Sequence, residues 1–325
     1  MKILLVDIDS IIPNLALMKI SQYHKQKGDI VGLNYLDNPD KAYISVIFKK
    51  NRNKANSSAY ALRLTYPNID IDIGGPGYDL KKKLPQEIED SKPDYTLYPE
   101  IDYSMGFTQR GCIRACPFCI VLIKEGKLTP VRSIEEIYNP AFNKIKLLDN
   151  NILADKANFK HVAQFCIDHN LELDISQGLD ARLMDKETAS LLAKIKPIKC
   201  FVFAFDSLKY KAHVLHTIQL LKDAGINIKT KVQFYVYCDR SNGEYGINSA
   251  LERCHILKNE GTNPYVMLNI DEEPTPEMKH LKRWANRKAI FWSIDFKDYV
   301  TSKKRIPKKI PSRKSSIFSF EEISQ

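Results

Sequence analysis

The chain has no apolar stretch long enough to span a bilayer: its first hydrophobic run, Ile3-Leu4-Leu5-Val6, is interrupted by Asp7 and Asp9, and later runs are only strand-length. No secretory leader is visible, so the expectation is a cytoplasmic protein with no membrane partner. The paired cysteines of a secreted scaffold are missing too. The seven cysteines are odd in number, three crowd between positions 112 and 119, and Cys166, Cys200, Cys238 and Cys254 are scattered. That usage excludes a disulfide framework and points to metal or cluster ligation by the crowded three. No G-x-G-x-x-G follows the first expected strand, which removes the dinucleotide fingerprint. Acid is absent from the stretch holding Lys303, Lys304, Arg305, Lys308, Lys309, Arg313 and Lys314, which Pro307 and Pro311 interrupt. Residues 301–325 therefore read as a basic, flexible, solvated tail. The tail supplies much of the net charge of +10. Basic charge invites a nucleic-acid partner, but only weakly, because no aromatics interleave with the basic run and no RNA-binding module is recognisable.

What is present is the patterning of a globular α/β protein. Hydrophobic content of 44% and charged content of 27% are ordinary, and 325 residues suffice for about two domains. Over the first ninety residues short strands alternate with helices: strands over 2–7, 30–35, 43–48 and 69–73, and helices over 14–26 and 57–64. Leu15, Met18 and Gln22 share a helical face, and Lys27-Gly28 closes that helix. Gly74-Gly75-Pro76-Gly77 comes after a strand end, where glycine serves either backbone geometry or a ligand crevice. Pro85, Pro93 and Pro99 suggest an extended connector over 85–103.

From Ser104 onward strand-like and helix-like segments alternate six times, with strands over 105–108, 144–148, 171–175, 199–205, 228–237 and 265–270. Phe159, Val162, Ala163 and Cys166 fall on one helix face between them, as do Val214, Ile218 and Leu221. Repeated right-handed βα units curl toward a barrel, whose chemistry sits at the carboxyl ends of its strands. The expected fold is α/β: a partial (β/α)6 TIM-like barrel over 96–300, preceded by a small Rossmann-like parallel domain over 1–95.

Cys112, Cys116 and Cys119 are spaced C-x3-C-x2-C directly after the first barrel strand, so one short loop can aim three thiols at one centre. Soft thiolates at this density select zinc or an iron–sulfur cluster, and a fourth ligand decides between them. No nearby fourth ligand exists, since the next histidine after Cys119 is His161 and the next cysteine is Cys166. A cubane held by three cysteines leaves one iron open to a small ligand. S-adenosylmethionine (SAM) can chelate such an iron through its amino and carboxylate groups.

The spacing, with Phe118 just before the last cysteine and Arg110-Gly111 before the first, resembles the signature of the radical SAM superfamily. The resemblance implies a [4Fe-4S] cluster ligated by Cys112, Cys116 and Cys119 and reductive SAM cleavage to a 5′-deoxyadenosyl radical. It also implies a reductant partner such as flavodoxin or ferredoxin, and Phe118 beside the cofactor. It names no substrate: RNA, peptide and small molecule all remain open. The competing class is a non-catalytic, metal- or cluster-stabilised nucleic-acid-binding protein. The N-terminal part looks like the cobalamin-binding-type domain of one branch of the superfamily. It lacks that domain's D-x-H-x-x-G motif, and His24 lies inside the first helix, so no cobalamin is expected.

Further candidates lie at the expected strand ends. Asp149 and Asn150, with Asn151, close the second strand where the superfamily contacts the SAM amino group; an Asx-rich turn is the alternative. Ser176-Gln177-Gly178-Leu179-Asp180-Ala181-Arg182 crowds polar groups onto the third strand end. There Gln177 and Asp180 are expected to approach SAM or substrate and Arg182 to pair with a carboxylate, unless the stretch is a capping network with Asp185. Asp206 or Ser207 ends the fourth strand as a ribose contact or a helix cap. Cys238 sits near the rim as a redox-active or merely buried thiol. Trp284, Trp292, Phe291 and Tyr299 read as aromatics closing the last helix on the core.

Overall fold

The computed structural model describes residues 1–175 and 177–305; Ser176 and residues 306–325, most of the expected tail, lie outside the described residues. The protein is a mixed α/β structure with parallel-strand sheets. Near the N-terminus, β1 (Lys2–Asp7), β2 (Ile30–Leu33), β3 (Lys41–Ser45) and β4 (Asp70–Gly74) pair in parallel in the order β2-β1-β3-β4. Crossover helices α1 (Leu15–Gln26) and α2 (Arg52–Thr65) connect β1 to β2 and β3 to β4. Asn14 starts α1: its Oδ1 accepts from Ala16 N and Leu17 N, and its Nδ2 donates to Ser45 Oγ at 2.8 Å. One side chain thus caps the helix and ties it to the end of β3. Leu17 and Ile20 then pack on Ile3 and Leu5, while Ala55 and Ala59 let α2 approach Ile44 and Val46.

The glycines after β4 have a packing reason. Gly75 has φ +94, and a Cβ there would lie 2.4 Å from Val46 O, so the turn requires a backbone that L side chains rarely adopt and leaves no room for one. The connector beyond this turn is not wholly extended. Pro85 opens a helical turn, α3 (Gln86–Glu89), and Asp94 caps a 3-10 turn over Tyr95–Leu97. Leu15 and Met18 of α1 share a buried cluster with Ile101 and Met105, so the first sheet unit is packed against the opening strand of the second.

The second unit begins with β5 (Ser104–Gly106). A two-stranded antiparallel ribbon of β6 (Gln109–Arg110) and β7 (Thr129–Pro130) comes next, with α4 (Val121–Lys124) in the loop between them. The chain continues through α5 (Ile134–Ile137), β8 (Lys144–Leu147), α6 (Lys156–Asp168), β9 (Glu172–Asp174), α7 (Lys186–Lys194) and β10 (Lys196–Pro197). Then come β11 (Phe201–Ala204), α8 (Lys211–Asp223), α9 (Ile228–Lys231), β12 (Val232–Cys238), α10 (Ile247–Asn259) and β13 (Asn263–Leu268). Helices α11 (Pro276–Ala285), α12 (Lys288–Ser293) and α13 (Phe296–Arg305) complete the described chain, so the last helix passes the expected boundary at residue 300. The strand expected over 228–237 starts only at Val232, because Asn227 Oδ1 accepts from Thr230 N and winds the four preceding residues into α9.

These strands fall into two parallel sheets, β10-β9-β8-β5 and β11-β12-β13, linked by one parallel bridge between Leu179 and Phe203. Among the described residues no pairing joins β13 to β5, so no closed ring forms. Phe201, Val202 and Phe203 are all buried, as expected of a parallel strand covered on both faces. Beneath the strands lies one apolar core that includes Phe159, Phe203, Phe234, Leu281, Trp284 and Phe291; Tyr299 belongs to it and Trp292 packs against it. No described helix is long and apolar enough to cross a membrane.

Candidate functional site

The three crowded cysteines lie in the loop that the β6–β7 ribbon closes. Gly111 makes that closure possible: it has φ +81, and a Cβ there would meet Lys127 O at 2.3 Å and Gly126 O at 2.6 Å. The Arg-Gly-Cys lead-in is therefore a steric requirement, because any side chain at 111 would wedge the ribbon open. Cys112 N donates to Gly126 O at 3.4 Å, and Cys119 N donates to Cys116 O at 3.0 Å, folding the loop back on itself.

Three successive residues after β8 brace this loop. Asp149 is buried and accepts from Thr108 N at 2.7 Å and from Thr108 Oγ1. Burial, only partly offset by those donors, pushes its carboxyl up to about 6. Asn150 Oδ1 accepts from Gly111 N at 2.9 Å. Asn151 O accepts from Gln109 Nε2 at 2.7 Å, and its Nδ2 approaches Cys112 Sγ at 3.7 Å. The Asp-Asn-Asn stretch thus positions the cysteine loop, with Asp149 and Asn150 spent on the protein's own backbone.

The opposite wall is ionic and aromatic. Asp180, 7% exposed, accepts from Arg182 Nε at 2.6 Å and from Arg114 Nε, between the first two cysteines, at 2.9 Å. Burial raises the Asp180 carboxyl, but the two guanidinium groups outweigh it and hold the group below the ordinary carboxylate range. Arg182 lies over the Tyr210 ring, 4.3 Å from its centroid. Phe118 stacks on Tyr237 at 4.0 Å between centroids and meets Tyr245 edge-on at 5.3 Å, pinning the loop to the end of β12. Asp206 Oδ1 accepts from Tyr237 N at 2.9 Å, and burial pushes its carboxyl up to about 6. Ser207 donates to Glu244 and caps the turn at 208–210, so the cap falls to Ser207.

Between these walls lies a cavity of about 260 Å³ lined by Arg114, Cys116, Phe118, Asp180, Arg182, Asp206, Tyr210 and Tyr245, among others. Cys116, half-buried, is raised above the ordinary thiol range, first by burial and also by the neighbouring cysteines' charge, while Arg182 pulls it back down. Partial desolvation raises Cys119 in the same direction even though that residue is exposed. Among the described residues no group of three His, Cys, Asp or Glu side chains has the geometry to hold one metal ion. A mononuclear tetrahedral site needs sulfurs about 3.8 Å apart, given Zn–S bonds of about 2.3 Å.

Of the residues singled out by sequence, Cys116, Phe118, Asp180 and Asp206 line the cavity. Cys112 and Cys119 share their loop, and Asp149 and Asn150 stand behind it as braces. Gln177 is exposed and does not line the cavity. Arg182 pairs with a carboxylate, as expected, and Asp185 caps α7 by accepting from Thr188 N. Cys238 is a buried thiol, raised by burial to about 11.

Sequence reasoning missed Arg114, Tyr210, Tyr245 and Arg253. Arg253 is fully buried and donates to Phe205 O at 2.9 Å, Tyr237 O at 3.0 Å and Ser249 O at 3.1 Å, lashing together the ends of β11 and β12. Its signal was available: Ala250, Arg253, Cys254 and Leu257 form the buried stripe of α10, and a charge on such a stripe needs a reason. No family model matches the chain, and no curated protein matches it.

Proposed function

We propose that this protein is a radical SAM enzyme whose [4Fe-4S] cluster is ligated by Cys112, Cys116 and Cys119. The observation that carries the reading is the braced three-cysteine loop set after a parallel strand and opening on a cavity with paired arginines. The donor types suit such a cluster: Cys112, Cys116 and Cys119 are three soft thiols on one loop, and no histidine or further cysteine follows within that loop to make a fourth ligand. Held by those three thiols, such a cluster would supply the low-potential electron for reductive cleavage of the SAM sulfonium.

The chain's own residues prepare that chemistry. Arg114 and Arg182, both anchored on Asp180, offer cationic groups suited to a carboxylate of SAM. Asp206 offers an acceptor for hydroxyl groups, and Tyr210 and Tyr245 supply flat apolar faces. The Phe118–Tyr237 stack fixes one side of the loop against β12. In this reading the two linked parallel sheets are an open (β/α)6 barrel, and the first sheet unit is a cobalamin-type domain that binds no cobalamin. His24 is buried inside α1, with Nδ1 2.7 Å from Asp29 and Nε2 3.2 Å from Tyr43. A cytoplasmic reductant of the flavodoxin or ferredoxin class would deliver the electron.

Anaerobic reconstitution is expected to give about four irons and four sulfides per chain. Incubation with dithionite and SAM should then release 5′-deoxyadenosine. One tightly held zinc with no iron would overturn the proposal in favour of a structural metal site, and an intact cluster that never cleaves SAM would remove the enzymatic half.

A further inference from the structure

Asn151 is the one brace whose side chain is not spent on the backbone. Its amide Nδ2 approaches Cys112 Sγ at 3.7 Å, and the same sulfur accepts from Arg114 N at 3.4 Å. Asn151 is 4% exposed, and its Oδ1 is buried with no hydrogen-bond partner. Leaving a buried carbonyl unsatisfied costs stability, and an apolar residue of similar size would avoid that cost. Of Asn151 it is the main-chain oxygen, not the amide, that holds Gln109, whose Oε1 also accepts from Asn158 Nδ2. A buried amide that the fold would be better without, turned toward a ligating sulfur, has its use in the assembled centre.

We infer that Asn151 is a positioning and redox-tuning residue: it donates an N–H to the Cys112 sulfur and makes the iron–sulfur centre easier to reduce. This rests on the cluster proposed above. Reduction adds negative charge that is shared with the thiolate sulfurs, so a hydrogen bond to sulfur strengthens in the reduced state and stabilises it. Arg114 N gives a second such donor from the backbone, which no side-chain substitution removes. Asn151 is therefore the donor through which the sequence can set the potential at this sulfur.

The test is a potentiometric titration of reconstituted protein, followed by the spectrum of the reduced cluster, in wild type, Asn151→Leu and Asn151→Asp. Both variants lack the N–H donor, and Asp differs from Asn in little but charge and donor. The reduction equilibrium constant is expected to fall roughly tenfold in Asn151→Leu, a downward midpoint shift of about 59 mV for a one-electron couple. Asn151→Asp should shift further in the same direction. Iron content should stay at the wild-type value, and cluster-free Asn151→Leu should melt no lower than cluster-free wild type. An unchanged midpoint in a fully loaded variant would overturn the inference while leaving the cluster standing. A melting temperature that drops with loss of iron would assign Asn151 a purely structural role and overturn it too. Wild-type protein that holds no iron defeats the underlying reading first, and its iron assay separates that failure from the others.

Discussion

Carboxylates at two places in the molecule, around α1 and just after β8 and β11, sit in opposite electrostatic states, with Asp180 and its two arginines a low exception beside the second group. Around α1, Asp29 is held below the ordinary range by hydrogen bonds from the N-terminal ammonium and His24. Asp94 is likewise low, because Lys25, Ser21 and Thr96 outweigh the burial that would raise it. At the strand ends around the cysteines, Asp149 and Asp206 are instead pushed up to about 6 by burial, and Asn151 keeps an unpartnered carbonyl. The first region uses its polar groups to complete its own structure. The second keeps some of them poorly compensated, a pattern that concentrates where a ligand completes the site. Glu89 joins the two regions, accepting from Lys19 of α1 at 2.7 Å and from Arg110, just before the cysteine loop, at 2.8 Å.

The largest expected contrast is in metal loading. Cys116→Ala should reduce iron from about four per chain to none and abolish SAM cleavage, since two thiolates do not hold a cubane. Cys254→Ala, on the buried face of α10, should keep the iron and lose only packing. Iron and sulfide assays on the two variants, reconstituted side by side, check this; equal loading would erase the distinction between the cysteine loop and the scattered thiols.

Next in size is Arg253→Met. Losing the guanidinium strips donors from Phe205 O, Tyr237 O and Ser249 O, and the expected destabilisation is about 3 kcal/mol, read by denaturant titration. Asp206 also loses a nearby positive charge. A cost under about 1 kcal/mol would mean that water replaces the arginine and that the strand ends are less enclosed than their burial implies.

The sequence made the parallel α/β class legible because crossover helices and strands carry distinct periodicities. Phe159, Val162, Ala163 and Cys166 are buried on α6 as their spacing predicts. The ends of elements were less legible because side-chain caps decide them, as Asn227 does by converting the start of an apolar run into α9. The cysteine spacing marked the loop, but the division of labour around it depends on tertiary pairing. Asp149 and Asn150 look like ligand contacts in one dimension, and the fold adds that they accept hydrogen bonds from Thr108 and Gly111, which spacing does not show. Gln177 looked equivalent to Asp180, yet only Asp180 faces the arginines, because Gly178, with φ +104, turns the chain between them.

The smallest effects sharpen the comparison most directly, because Asp206 and Asp94 should respond to pH with opposite signs. Asp206 has a folded-state pKa raised to about 6, so its ionisation weakens the fold. That penalty is absent below the unfolded value of about 3.9, grows as pH rises toward 6 and stays constant above it. Asp206→Asn keeps an oxygen for Tyr237 N and cannot ionise. In cluster-free protein it should therefore be more stable than wild type by about 1–2 kcal/mol above pH 6, the full conversion being discounted for partial exposure to the cavity, and gain nothing below pH of about 4. Asp94 is the mirror case. Its depressed pKa contributes stability that is present above the unfolded value and is lost as pH falls through the folded one. Asp94→Asn should cost about 1 kcal/mol at neutral pH, and the cost should vanish in acid. Denaturant midpoints measured for both variants across pH 3 to 8, a range of about five units around these values, should diverge from wild type in opposite directions as the pH rises. If both variants were destabilised at neutral pH, Asp206 would be as fully partnered as Asp94, and the strand ends would hold nothing in reserve for a ligand.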